Sequence, residues 1–225
     1  MSNTYGSKLK LSVFGASHAP FIGAAMQSLP KGYKIDLEEL CRFTARRAPG
    51  RNALSTPRKE ADIPVFISGI SGDRLTGEPL EIRINNTDTR SGDYTGYNDT
   101  PRPGHADLVG ALKTNTDDCR NILERASARE TAARVAAAGI AREFLADLGV
   151  EVFSYVTSIG SASFKEDDAL MNAPDYKPLA IETSEVRCPD ERATEAMKAE
   201  IDRAKDAGES LGGTFRVVVT GLVPG

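Results

Sequence analysis

Histidine is scarce in this 225-residue chain, where only His18 and His105 occur. Two imidazoles are too few for most metal centres unless carboxylates supply the remaining ligands, so no metal site is expected. Cysteine is scarce as well: Cys41, Cys119 and Cys188 are odd in number and far apart. They lack the paired spacing of a zinc site or a redox motif and read as reduced thiols. No apolar run approaches the roughly 20 residues that span a bilayer, and the polar start from Met1 to Lys8 lacks the apolar core of a signal peptide. A cytoplasmic location without a membrane partner is the expectation. Positive charge is not in excess either, with 28 Lys+Arg against 32 Asp+Glu and a formal net charge of -4. The overall field therefore gives no reason to expect a nucleic acid partner.

What is present reads as mixed α/β. Leu9, Leu11 and Val13 alternate with polar neighbours as in a strand that stops at Gly15, delivering the segment Gly15-Ala16-Ser17-His18-Ala19-Pro20. Asp36-Leu37-Glu38-Glu39 resembles a capping box, and Leu37, Leu40, Cys41 and Phe43 follow at helical spacing, predicting a helix that ends before Pro49-Gly50. Further strands are predicted at 64–70, 80–84, 150–159 and 214–220, each bounded by turn-forming residues. The aperiodic polar stretch from Asn85 to Gly104 is a candidate site loop, since long structureless loops in compact domains are usually functional. The clearest helix runs from about Ala128 to Leu148, with Ser127 as N-cap and Gly149 as its stop. A second, from about Asp190 to Lys205, is charged on most faces and is expected to face solvent, after an irregular stretch from Ser161 to Arg187. A chain of this length suits one domain or two small ones, and a single domain over 1–225 is the simpler expectation.

The arginines fall unevenly. Arg42, Arg46, Arg47, Arg51 and Arg58 crowd one segment, and Arg102, Arg120, Arg125, Arg129 and Arg134 another. Solvated helix faces would explain such crowding, but Arg125 and Arg129 flank the start of the alanine-rich helix, where N–H groups and the positive dipole end already favour an anion. A planar guanidinium then suits phosphate or carboxylate. Arg102-Pro103-Gly104-His105 closes the long loop, with Pro and Gly setting a turn.

The strings RPGHAD at 102–107 and ASARETAARVAA at 126–137 closely resemble chorismate synthase. The resemblance continues through STPRKEAD at 55–62, RLTGEPL at 74–80, NTDTRSGDY at 86–94 and GGTFRVVVTGLVPG at 212–225, and so covers essentially the whole chain. DDCRNILERASARETAARV looks like the branch of the family with Leu-Glu-Arg where other members carry glycines.

The resemblance implies a β-α-β sandwich with antiparallel sheets around a helical core, a homotetramer, and one FMN site per subunit. It implies a carbon–oxygen lyase of the shikimate pathway that feeds aromatic amino acid biosynthesis. The family's reaction is the anti-1,4 elimination of phosphate from 5-enolpyruvylshikimate 3-phosphate, with reduced FMN (FMNH2) required and no net redox change. Some members reduce their own flavin, NADPH being one reductant, and others rely on other sources. Residue by residue, His105 matches the group that protonates or holds the reduced flavin, and His18 the donor near the departing phosphate. Arg47, Arg102 and Arg129 match substrate-binding arginines, with Arg46 and Arg51 weaker candidates; Arg125, Ala126 and Ser127 match the flavin-contacting segment.

The chain departs from the family at Ala16 and Ala19, where Gly-Glu-Ser-His-Gly is usual, at Ala48, where many relatives have a third consecutive arginine, and at Ala126, where a serine is usual. Ala16 offers no side-chain acceptor, and Ala19 would be strained at positive φ. Family members continue past the position of Gly225, so an N-terminal and central portion, incomplete at its C-terminus, is expected. Two rivals stand beside this reading: a relative that only binds flavin or phosphate ligands, and a nucleophile pair of His105 and Cys119, whose surroundings offer no evident activation.

Overall fold

The strand expected from Leu9, Leu11 and Val13 forms as β2 (Lys10–Gly15), and Gly15 ends it at φ 90°. A Cβ at Gly15 would lie 2.6 Å from the Phe21 carbonyl oxygen, so the turn into the next strand requires glycine there. The computed structural model describes residues 4–50, 54, 58–87, 89, 99–165 and 179–224. These fall into two compact units: Met1–Arg51 with Ser55–Phe144, and Asn52–Leu54 with Leu145–Gly225.

The first unit holds β1 (Thr4–Tyr5), β2, β3 (Phe21–Gln27), α1 (Leu37–Arg47), β4 (Pro64–Ser68), β5 (Ile70–Ser71), β6 (Arg74–Leu75), β7 (Leu80–Asn85), α2 (Asp107–Thr114), α3 (Cys119–Ala126) and all but the last three residues of α4 (Glu130–Asp147). Its main sheet is antiparallel in the order β1-β2-β3-β7-β4. Alternation along β7 puts Leu80, Ile82 and Ile84 on one face, where they join Val13, Ile22, Ala24 and Met26. Leu40 of α1 and Ala132, Ala133, Ala136, Ala137 and Ile140 of α4 complete this core, which fixes α4 and the segment leading into it against the sheet.

The small residues of α4 let α1 approach closely. A Cβ at Gly139 would fall 2.4 Å from Leu40 Cδ1 and 3.1 Å from Phe43 Cδ1. Leu40 is itself fully buried and has nowhere to move. Gly139→Val should therefore lower unfolding free energy by about 1–3 kcal/mol through overpacking, read by urea denaturation.

Asp36 caps α1 by accepting from Glu38 N and Glu39 N at 3.0 and 2.9 Å. The reciprocal half of the expected capping box does not form: Asp36 N–H donates to Glu143 of α4 at 2.8 Å, while Glu39 pairs with Arg42 and Arg142. Tertiary packing supplies the cap's second bond. Burial pushes the Glu143 carboxyl above its ordinary value, opposed by that backbone donor.

The second unit contains β8 (Glu151–Ile159), β9 (Ala162–Ser163), α5 (Leu179–Thr183), α6 (Glu191–Ala207) and β10 (Gly213–Thr220), with sheet order β10-β8-β9. Asp190 caps α6 and Gly208 ends it at φ 69°. The helix predicted to be solvent-facing buries one side, with Met197 fully inside against Val186 and Cys188. The periodicity Thr194, Met197, Ile201, Ala204 carries that stripe among charged neighbours. All three cysteines are free thiols.

Strand β3 is central to the first sheet although its sequence does not announce a strand. Its Gly23 faces the Phe14 ring and the Ile82 carbonyl so closely that a Cβ there would meet them at 2.7 and 2.8 Å. Small residues serve close approach here, against their weak strand preference. The predicted strand 64–70 breaks at Gly69, φ 79°, into β4 and β5. Of the expected site loop, residues 88 and 90–98 lie outside the described residues, as do 166–178 of the irregular stretch. Mixed helices and antiparallel sheets make this the α/β class expected.

Candidate active site

Between β2 and β3 the chain turns through Ala16–Pro20, and three residues from outside it hold that turn. Asn86, just after β7, donates from Nδ2 to the carbonyls of Ala16 and Ala19 at 3.0 and 2.6 Å, and its backbone N–H bonds Pro20 O at 2.9 Å. Arg58 donates to Ser17 O at 2.9 Å. Glu124, on α3, receives the Ser17 hydroxyl at 2.7 Å and the His18 backbone N–H at 2.8 Å. Ser17 is completely buried as a result. Ala19 is not among the described residues with positive φ, so it sits in the turn without the strain its methyl would bring there.

Beneath the turn lies a buried ionic cluster. Arg129 is only 3% exposed; it donates from Nε to Asn86 Oδ1 at 2.8 Å, from Nη1 to Asp62, and from Nη2 to Asn85 O at 3.4 Å. Arg47 donates to the other oxygen of Asp62 at 2.7 Å and to Ala128 O at 3.0 Å, just before α4. Arg58 pairs with Glu60 at 2.8 Å, and Glu60 also receives the Thr87 backbone and hydroxyl donors at 2.9 and 2.8 Å. Asp62 holds a left-handed backbone, φ 51°, tolerable for aspartate. The three guanidiniums and two carboxylates together carry one net positive charge, which suits the neighbourhood to an anion.

The sequence points to Arg47, Arg129 and His18, while Glu60, Asp62, Asn86 and Glu124 join them in one assembly only through the fold. A signal is available in the sequence: Arg58, Glu60 and Asp62 fall at every second position, and burial alternates with them, Glu60 and Asp62 inside and Lys59, Ala61 and Ile63 exposed.

The α3–α4 junction differs from the expected helix start. Ser127 closes α3, and α4 begins at Glu130; the Ser127 hydroxyl nevertheless accepts from Arg129 N at 3.2 Å, and Ser127 O from Glu130 N at 3.1 Å. Arg125 reaches the Val13 carbonyl of β2 at 3.5 Å and lies 3.8 Å from Glu130. Ala126 is exposed. Arg125, Ala126 and Ser127 thus form an accessible corner beside β2, the strand that carries the His18 turn.

Arg102 and His105 belong to a separate local turn. Arg102 grips Asp107 of α2 in a bidentate pair, Nε and Nη2 at 2.8 and 3.0 Å, while the exposed His105 has Nδ1 3.0 Å from Pro103 O. The Arg102 guanidinium holds the Asp107 carboxyl below its ordinary range, against the opposing effect of burial. A depressed carboxylate contributes stability that is complete above its unfolded value, about 3.9, and is lost as pH falls through the folded value. The stability difference between the parent and Asp107→Asn should accordingly be largest near neutrality and shrink below about pH 4, followed by chemical denaturation at a series of pH values.

Fold and site together define an α/β protein that presents a histidine turn on buried arginine–carboxylate pairs. The chain belongs to the chorismate synthase family, whose model matches residues 9–225. It is 39% identical to the chorismate synthase of Porphyromonas gingivalis over 211 residues, covering 94% of this chain and 56% of that protein. Against the chorismate synthase of Methanococcoides burtonii it is 36% identical over 223 residues, covering 99% and 59%. A solved structure described as a crystal structure of chorismate synthase matches with TM-score 0.74 at 33% identity, over 95% of this chain and 58% of that one. The chain therefore spans less than two thirds of the length of these relatives.

Proposed function

We propose that this chain carries out, or forms the N-terminal and central part of a protein that carries out, the chorismate synthase reaction. That reaction is the elimination of phosphate from 5-enolpyruvylshikimate 3-phosphate to give chorismate, in the shikimate pathway. The carrying observation is the His18 turn, held by Arg58, Asn86 and Glu124 on the cationic Arg47–Asp62–Arg129 cluster, in a chain matched to the family over residues 9–225.

The substrate bears a phosphate and two carboxylates, so cations must neutralise it in a water-poor setting. Arg47 and Arg102, each partly accessible, take those anionic groups in this reading. Arg129, inside the cluster, sets the field and holds Asn86 rather than reaching outward. His18 in its imidazolium form gives the Nε2 proton to an oxygen of the departing phosphate while Nδ1 keeps its own, and His105, exposed on its turn, holds a proton toward the cofactor.

The corner at Arg125, Ala126 and Ser127 fits the anionic end of FMN: a guanidinium, a hydroxyl and the positive end of α4 are donors of the required kind. When bound, reduced FMN supplies electron density transiently to the elimination. NADPH is a candidate source of its electrons. A homotetramer in the cytoplasm is the assembly and setting that go with the reading. Among the described residues no helix is long and apolar enough to cross a membrane, and no nucleic acid or membrane partner is proposed.

His105→Ala tests the assignment at an exposed position where folding should be indifferent. Turnover should fall by about 10²-fold or more with the unfolding transition unchanged. Equal activity in a folded variant would remove His105 from the mechanism.

A further inference from the structure

The Ser17–His18–Glu124 contacts fix where the protons lie. Ser17 Oγ is 2.7 Å from Glu124 Oε2 and 2.9 Å from His18 Nδ1, while Nδ1 is 3.1 and 3.2 Å from the two Glu124 oxygens. Burial, the largest influence on the Glu124 carboxyl, opposes its ionisation. The Ser17 hydroxyl, the His18 backbone N–H and the His18 ring outweigh it, so the group lies below its ordinary value and is acceptor-only. Ser17 has a single hydroxyl proton, and it goes to Glu124. Nδ1 then faces two carboxylate oxygens and a serine lone pair, so it must carry a proton.

We infer that Glu124 is a positioning residue that locks His18 with its proton on Nδ1, making Nε2 the ring nitrogen that exchanges a proton with a bound ligand. The lock is rigid on both sides. Glu124 is 11% exposed on α3, Arg120 lies one turn away at 3.7 Å, and the carboxylate also holds the His18 backbone. Ala16 brings no carboxylate to the turn from within, so the one seen at the ring is delivered from α3. The tautomer follows from these contacts alone; the consequence for turnover rests on the chorismate synthase reading.

Glu124→Gln tests both with little change of shape. Its amide oxygen can keep the two donors now on Oε2, from Ser17 and the His18 N–H, and its NH2 then occupies the Oε1 position facing Nδ1. An N–H aimed at Nδ1 demands a lone pair there and reverses the tautomer. With only two histidines in the chain, long-range 1H–15N correlation spectra at about pH 8.5, above the ordinary histidine range, assign His18 once His105→Ala has removed the other signal. The parent should show Nδ1 protonated and Nε2 unprotonated, Glu124→Gln should move His18 toward the opposite pattern, and Glu124→Asp should retain the parent pattern. Identical spectra for the parent and Glu124→Gln would overturn the inference. If the parent forms chorismate, Glu124→Gln should lower kcat by about 10²-fold with KM little changed. A rise in KM alone would show that Glu124 serves binding instead. If the parent forms none, the reading of function fails, yet the spectra still decide the role of Glu124.

Discussion

Asp62→Asn should lower the stability of the N-terminal unit by about 3–5 kcal/mol, the largest single-site effect expected outside the hydrophobic core. The Asp62 side chain is wholly buried and bridges Arg47 and Arg129, the second of which is itself sealed from water. Asparagine keeps the shape and tolerates the left-handed backbone at φ 51°, so the variant removes charge and little else. What remains is a buried guanidinium without its counter-ion, and desolvation is no longer offset. Urea denaturation of parent and variant measures the difference. A change below about 1 kcal/mol would mean that Glu60, 3.9 Å from Arg129, already compensates the charge.

His18→Asn should reduce turnover by about 10²- to 10⁴-fold while the fold is kept. The asparagine amide can place an N–H where Nδ1 stands, preserving the bond to Glu124, and nothing replaces Nε2. The variant thus separates the anchoring half of the imidazole from the half assigned to proton transfer. Unfolding free energy should change by no more than about 1 kcal/mol, the worth of a typical hydrogen bond. A large loss of stability with little loss of kcat would make His18 a structural histidine.

How much of this was legible beforehand depended on whether local pattern or tertiary contact decided the matter. β2 announces itself by alternation that stops at Gly15, β7, β8 and β10 by strand-forming residues between turn formers, and α1 by its Asp36 cap. β3 stayed hidden because Gly23, Ala24 and Ala25 are selected for fit against Phe14 and β7, which no strand propensity registers. α2 stays hidden because its eight residues are too few to establish a helical period, and its Leu108, Val109 and Leu112 are exposed instead of forming a core-facing stripe. Ser127 has the residue type and place of a cap for the long helix; it closes α3 instead, yet still accepts the Arg129 N–H. The site was legible only as residue types. Arginine crowding pointed to Arg47 and Arg129, while the carboxylates that bind them, Asp62 and Glu60, read as ordinary charged residues until the fold buried them. Glu124 lies more than 100 positions from His18, and no local pattern links the two.

The central claim is tested most directly by anaerobic chorismate formation from 5-enolpyruvylshikimate 3-phosphate with reduced FMN, using the protein as its gene encodes it. The account predicts chorismate and inorganic phosphate in equal amounts, abolished when His18 and His105 are both replaced. Binding of FMN and substrate without any phosphate release would contradict it and leave a ligand-binding relative in its place.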